Sequence, residues 1–367
     1  MKTLDLISYV FFSFFFLFPL SMNGQGNQPL RLGVAGVSHG HLAEVTRRVE
    51  RGDFTVVGVY EADKQIRENN GLRRKIDGAL FYANLEEMLD KTKPEVVVAY
   101  GSIYDHLSVV EACAPRGIHV MVEKPLAVNT EHAARMAELA GKHKIHLLTN
   151  YETTWYSTNH EAYRLIANDS IGKITRIHVY DGHQGPIEIG CGKEFLDWLT
   201  DPKGNGGGAV IDFGCYGANL ATWLMKGEKP LSVYGVLQHQ KPDKYPEVDD
   251  DATIVLKYPT ATVQIMGSWN WPMSRKDMHI YGSKGYIYQD TPTHMRIYTG
   301  RKESVLTPPA LQAPYNDSFY YLKAVVRGEI QLNPADLSSL ENNLTVVSIL
   351  EAAIQSSQAG KEMQISE

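Results

Sequence analysis

Four segments of this 367-residue chain carry residue types that could act together chemically. The first is Gly36-Val37-Ser38-His39-Gly40-His41, which follows the apolar run RLGVA. Glycines between a strand and a helix let backbone N–H groups approach a pyrophosphate closely. The strict G-x-G-x-x-G pattern is degenerate here, with Ser38 at the second glycine position and His41 at the third. Glu61 follows about 25 residues on, at the end of VVGVYEAD, where a carboxylate accepts hydrogen bonds from ribose hydroxyls and repels a 2′-phosphate. That favours NAD over NADP, although a solvated strand-end charge reads the same way in sequence.

The second segment, Glu123-Lys124-Pro125, ends the strand-like run HVMV and faces a cofactor crevice if that strand is parallel. A lysine there orients a hydroxyl and lowers the pKa of a neighbouring acid, and the Lys-Pro bond is a candidate for the cis form. In the third segment Gly206-Gly207-Gly208 leads into a helix with Asp212, Tyr216 and Asn219 at i, i+4 and i+7. A carboxylate, a phenol and an amide then share one face of a helix made apolar by Ile211, Phe213 and Trp223, a pattern that suits a pocket wall better than a solvent face. The fourth is Asp181 to Pro186, where glycines flank His183 and Gln184 and could aim both at a polyol, or form an ordinary turn. Trp155, Tyr156, Trp198, Trp269 and Trp271 offer faces for sugar stacking or for the core, and Asp249-Asp250-Asp251 reads as a solvated loop.

The elements that must position these residues are legible in the hydrophobic pattern. Over residues 28–150 apolar runs (RLGVAGV, FTVVGVY, EVVVAYG, IHVMVE, IHLLTN) alternate with helical stretches such as TEHAARMAELAGKHK. Apolar strands alternating with helices imply a parallel sheet covered on both faces, a Rossmann-type arrangement. Over residues 151–367 the rhythm turns β-rich and alternating (KITRIHVYDG, ATIVLKYP, KDMHIYGS), implying an α/β domain with a large, mostly antiparallel open sheet. Helices are expected near 160–168, 207–226, 317–326 and 336–358, with the last ones able to pack back on the first domain. The uncovered sheet face suits a homodimer or homotetramer.

Composition excludes several classes. Lys+Arg total 36 against Asp+Glu 42, for a net charge of -6, which leaves no bulk positive charge for nucleic acid. Residues 1–24 combine Lys2, the apolar run ISYVFFSFFFLFPL and a small polar exit, the signature of a Sec-type signal peptide. The run is too short and too interrupted by Pro19 for a spanning helix, so the mature chain is expected in a periplasm with no membrane span. Cys113, Cys191 and Cys215 are compatible with one disulfide or three free thiols, and no HExxH or paired-cysteine spacing points to a metal.

Taken together, the turn at Gly36, Glu61, VVVAYGSIYDHLSVVEACAPRGIHV, EKPLA, GGGAVIDFGCYGANLATWL, VDDDATIVLKYP and HIYGSKGYIY resemble the Gfo/Idh/MocA oxidoreductases. The resemblance covers nearly all of the chain after the signal segment, and the EKP and GGG-to-helix segments are its specific part. It implies an NAD-binding Rossmann domain joined to a substrate and oligomerisation domain, and hydride transfer at a sugar or cyclitol carbinol. On the resemblance, Lys124 matches the catalytic lysine, Asp212 the helix-borne aspartate, and Tyr216 a position that is often His. Asn219 stands where Asp is frequent, and His106 matches a histidine near the nicotinamide.

The expected constellation is therefore Lys124, Tyr216, Asp212 and His183 for catalysis. Gly36, Ser38, His39, Gly40, His41, Glu61, Tyr100, His106, Glu123 and Lys124 are expected at the cofactor, and Asn219, Gln184 and Trp155 at the substrate. Tyr216 takes the hydroxyl proton while Lys124 stabilises the phenolate, since a free tyrosine, with a pKa of about 10, is a poor base. Export implies a tightly held NAD, recycled by a sugar or keto-sugar acceptor. The resemblance favours oxidation of a glycoside or disaccharide, plausibly at carbon 3. The alternatives are an NAD-dependent glycoside hydrolase using His183 as acid or base, and a non-catalytic sugar-binding protein.

Overall fold

The structure, a computed structural model, describes residues 28–365; the signal segment lies outside the described residues. Six strands, β1 Leu30–Ala35, β2 Phe54–Tyr60, β3 Phe81–Tyr82, β4 Val96–Ala99, β5 His119–Glu123 and β6 Leu147–Asn150, form one parallel sheet. Their order is β3-β2-β1-β4-β5-β6. The runs VVVA of β4 and HVMVE of β5 are buried almost throughout because helices cover both sheet faces. Strand order reverses between β1 and β4, which opens a crevice at their carboxyl ends.

The helices between them start and stop on recognisable residues. Thr130–His143 is capped by the Asn129 side chain, which accepts from His132 N–H, and it ends on Lys144 in the left-handed region. The amphipathic stretch after the first turn is a chain of short pieces, a 3-10 turn Gly40–Leu42, an α-helix Ala43–Arg48 and a 3-10 turn Val49–Arg51, closed by Gly52.

Nine further strands form the second sheet: β7 Ile174–Gly182, β8 Ser232–Gln238, β9 Asp251–Lys257, β10 Thr262–Ser268, β11 Arg275–Gly282, β12 Tyr286–Gln289, β13 Met295–Thr299, β14 Lys302–Leu306 and β15 Met363–Gln364. They run in the order β14-β13-β12-β11-β7-β10-β9-β8-β15, antiparallel except where β10 meets β7. Alternation does what period two requires. Ile254 and Leu256 of β9 and Val263 and Ile265 of β10 are buried in one core with the helices Gly214–Leu224 and Leu340–Ala359. Tyr234 and Val236 of β8 are exposed. The helix Ser318–Val326 packs Phe319 and Leu322 into a cluster with Leu30 and Val34 of β1, so late residues complete the core of the first sheet.

Three local expectations are corrected. The helix expected over 207–226 is two, Ala209–Asp212 and Gly214–Leu224, with Phe213 between them. Asp249 and Asp250 are buried rather than solvated. Asp249 accepts from the N–H groups of Gly208 and Val210, both at 2.8 Å, and so caps the first of these helices. This close approach explains the glycine at 208, where a Cβ would lie 1.7 Å from the Asp249 carbonyl oxygen. The Asp250 carboxylate accepts from Gln240 and Lys241 N–H groups and from the Asn270 amide. The helix Lys193–Leu199 was not anticipated, because KEFLDWL is too short to show a period. Cys113, Cys191 and Cys215 are all free thiols. Among the described residues no helix is long and apolar enough to cross a membrane.

Candidate active site

The turn after β1 is held from both sides. Gly36 N–H donates to Tyr60 O at 2.8 Å, and His39 N–H donates to Tyr100 O at 2.9 Å. Gly36 has φ +76°, and a Cβ there would lie 2.5 Å from the Gly101 nitrogen. Backbone can therefore pass backbone only at a residue without a side chain. Glu61 stands at the end of β2 as the spacing predicts, but its carboxylate accepts from Val37 N–H at 3.1 Å and Asp63 N–H at 3.0 Å. In this state it braces the turn, while Asp63 lines the adjoining cavity.

The two histidines that displace glycine from the fingerprint make specific contacts. His39 Nδ1 accepts from His41 N–H at 3.0 Å and caps the helical turn, so a neutral His39 carries its proton on Nε2. Its ring packs on Trp198 and Phe195 of the helix Lys193–Leu199. Burial, with His41 beside it, pushes His39 well below the ordinary histidine value. His41 Nδ1 meets the Glu123 carboxylate at 2.9 Å. Burial alone would lower His41 and raise Glu123. Their mutual attraction outweighs it, raising His41 and bringing Glu123 down to about 2. The other Glu123 oxygen accepts from Asn150, which accepts in turn from Trp155 Nε1 at 3.2 Å.

His39, His41 and Glu123 bring one potential ligand atom each within 4.8 Å of one another. The Nδ1 atoms of both histidines and both Glu123 oxygens are engaged, as helix cap, ion-pair partner and acceptors from His41 and Asn150.

Two cavities meet at this turn. One, of about 880 Å³, is lined by Ser38, Leu42, Arg47, Asp63 and Gln65; the other, of about 680 Å³, contains the remaining chemistry. His39, Gly40 and Phe195 belong to both. An elongated ligand crossing the turn would place one end in each, which fits a dinucleotide whose pyrophosphate sits at the Gly40 backbone. The polar atoms and the glycine-lined approach suit that group.

Lys124, Asp212, Tyr216 and His183 all line the smaller cavity. The Lys124–Pro125 bond is cis. Lys124 Nζ donates to Asp212 Oδ1 at 2.5 Å and to the Asp212 carbonyl at 2.9 Å. Trp269 Nε1 donates to the other carboxylate oxygen at 2.9 Å. Burial opposes both charges, but their attraction keeps Asp212 at about 2 and Lys124 above the ordinary lysine value. Trp269 is fully buried and serves this carboxylate, not a sugar face.

Tyr216 is 1% exposed, and burial, with Glu152 nearby, raises its phenol well above the usual value. Two ammonium groups flank its ring, Lys276 at 4.6 Å and Lys124 at 5.0 Å from the centroid. The hydroxyl itself lies 3.5 Å from Lys276 Nζ, whereas both Lys124 hydrogen bonds go to Asp212. His183 stacks edge-on against Phe213, and its Nδ1 accepts from Gly185 N–H at 2.9 Å. Neutral His183 therefore presents an Nε2–H donor. Burial lowers its pKa, which keeps it neutral near pH 7.

Other expected site residues lie elsewhere. Asn219 is fully buried, and its amide donates to Leu337 O at 2.8 Å, beside Asn343 of the helix Leu340–Ala359. Gln184 donates to Pro272 O at 3.1 Å and holds the loop before β11. Trp155 packs against Tyr321 and ends the Asn150 chain, outside the cavity. His106 is fully buried behind the cis turn, with Nδ1 3.1 Å from Leu126 O and a pKa driven by burial to about 4. Tyr100 contributes its carbonyl, and its ring is buried.

Sequence reasoning missed Lys276 and Glu152, which line the same cavity and form an ion pair. A signal was available for Lys276: it falls in phase with the buried Met278 and Ile280 of β11, where a lysine breaks the apolar alternation.

Residues 30–151 match the model of the oxidoreductase family NAD-binding Rossmann fold, and residues 159–288 match the GFO/IDH/MocA C-terminal domain. A trans-1,2-dihydrobenzene-1,2-diol dehydrogenase of Xenopus tropicalis is 25% identical over 318 residues, covering 83% of this chain and 90% of its own. A myo-inositol 2-dehydrogenase of Thermotoga maritima is 25% identical over 270 residues, covering 71% and 75%. Among solved structures, an aldose-aldose oxidoreductase from Caulobacter crescentus superposes with a TM-score of 0.78 at 19% identity, covering 92% of this chain and 100% of its own. An inositol dehydrogenase homologue from Azotobacter vinelandii bound to NAD+ gives 0.79 at 18%, covering 92% and 98%.

Proposed function

The chain belongs to the Gfo/Idh/MocA oxidoreductases, with their NAD-binding Rossmann fold, and from that premise we propose that it oxidises a sugar carbinol, on a glycoside or disaccharide, at carbon 3. The observation that carries this is the convergence of Lys124, Asp212, Tyr216 and His183 in one cavity that shares His39 and Gly40 with the dinucleotide turn. The relatives named for diol, inositol and aldose substrates support a vicinal polyol as the substrate class.

A bound nicotinamide supplies the hydride acceptor. Lys124 spends two N–H groups on Asp212 and keeps one for the substrate oxygen, whose developing negative charge it stabilises. Tyr216 takes the hydroxyl proton. His183 donates from Nε2 to an adjacent hydroxyl, and Asp212 fixes the lysine. Ile189 and Met273, exposed at the rim, offer an apolar seat for an aglycone.

NAD is preferred to NADP in this reading, because Asp63 lines the larger cavity and Glu61 stands beside it. Export to a periplasm, tight retention of NAD, a sugar or keto-sugar electron acceptor and a homodimer or homotetramer built on the open sheet face belong to the same proposal. The hydrolase alternative needs His183 to accept a proton, and the Gly185 N–H bond to Nδ1 weighs against that.

The test is product mass after incubation with glycosides and a keto-sugar acceptor. A glycoside lighter by two hydrogens supports the dehydrogenase. Free sugar plus aglycone with no net oxidation replaces it with the hydrolase.

A further inference from the structure

We propose that Lys276 and Glu152 form the proton exit from Tyr216, which makes Lys276 a further catalytic residue; this rests on the dehydrogenase reading above. Tyr216 is 1% exposed, so once a substrate hydroxyl occupies its side of the cavity the phenol has little direct access to bulk water. Lys124 offers no hydrogen-bonded route from the phenol, since both of its hydrogen bonds end on Asp212. The Tyr216 hydroxyl contacts Lys276 Nζ at 3.5 Å, and that ammonium is ion-paired with Glu152. The Glu152 side chain is 47% exposed, so it opens to solvent, and its other oxygen accepts from the Tyr156 hydroxyl at 2.5 Å.

The placement is specific to this strand. Lys276 pairs across the sheet with Asp181 and shares its inward side with Met278 and Ile280. Asp181 is 1% exposed, and neither carboxyl oxygen has a hydrogen-bond partner. Lys276 is thus turned away from its cross-strand neighbour and toward Tyr216 and Glu152. Arg275 and Asp277, on the opposite side, pair with each other.

The step balances. The substrate O–H bond breaks and its proton goes to the Tyr216 oxygen. The Tyr216 proton passes to Lys276 as Lys276 releases one to the Glu152 carboxylate. With NAD bound, its nicotinamide would accept the carbinol C–H electron pair as hydride while the C=O bond forms. Tyr216 and Lys276 end as they began, and Glu152 returns its proton to solvent.

The experiment is chemical rescue of turnover, with NAD binding followed separately by fluorescence. Lys276→Ala should lower kcat by about 100-fold with KM changed less than about threefold, as for loss of a proton-transfer group. Ethylamine should restore turnover by about tenfold, saturably, and Glu152→Gln should lose kcat in the same direction. Lys276→Arg keeps the charge without a transferable proton and should stay impaired. Wild-type rates in Lys276→Ala or Lys276→Arg, or a KM effect alone, overturn the relay and leave the dehydrogenase standing. No oxidation of any polyol by the wild-type protein overturns the underlying reading instead. If Lys276→Ala fails to fold, Glu152→Gln, at the cavity rim, decides by the same criteria.

Discussion

Lys124 grips both the carboxylate and the carbonyl of Asp212, 88 residues further along the chain, and so joins the carboxyl end of β5 to the helical turn Ala209–Asp212 of the other half. With both side chains under a tenth exposed, the pair is structural as well as chemical. Removing one partner leaves an uncompensated buried charge, which costs about 3–5 kcal/mol. Lys124→Ala should therefore lose both turnover and stability, whereas Lys124→Met combined with Asp212→Leu should regain stability without activity. Thermal melts beside turnover assays separate the two effects.

Stability should depend on pH through Glu123 and Asp212. Both pKa values are depressed to about 2, so their stabilisation is complete above the ordinary carboxylate values and is lost as pH falls toward 2. Each contributes on the order of 2–3 kcal/mol. His41 has the opposite sign: its raised value stabilises fully below the ordinary histidine pKa, and that contribution is lost as pH rises through the folded value. Denaturation curves from pH 2 to 8 should flatten at the acid end in Glu123→Gln and at the neutral end in His41→Gln.

Asn219→Ala should destabilise by about 1–3 kcal/mol through loss of its buried bond to Leu337 O, yet leave kcat and KM near wild type. A rise in KM with an unchanged melting temperature would restore this residue to the substrate site.

Gly36→Ala should abolish dinucleotide binding, because its Cβ meets backbone 2.5 Å away and the residue sits at φ +76°. The strain is of the order of 1–3 kcal/mol before any clash is counted. Isothermal titration with NAD is the direct measurement, and wild-type affinity would show that the turn relaxes elsewhere.

Periodicity and local chemistry were enough to determine the two sheet types, the glycine turn, the position of Glu61 and the polar Asp212 and Tyr216 on an apolar helical segment, whereas joining Lys124 to them rested on the family resemblance. Those features depend on repeats of two and 3.6 residues and on backbone demands that only particular residues meet. The tertiary structure alone decided where side chains point once an element is interrupted. Phe213 divides a helix that reads as continuous and places Asp212 on a separate turn, while on the second helix Tyr216 borders the cavity and Asn219, three residues on, is taken up by packing against the segment before Leu340–Ala359. The aspartates at 249 and 250 look solvated until a glycine-rich helix start is brought against Asp249 and the 240–241 backbone and Asn270 against Asp250. Gln184 and Trp155 are claimed by Pro272 and Asn150, partners far away or on another element. Lys276 and Glu152 meet across 124 residues of sequence. Hydrogen-bond partners of this kind depend on three-dimensional proximity, and a one-dimensional pattern records only that a residue is out of phase.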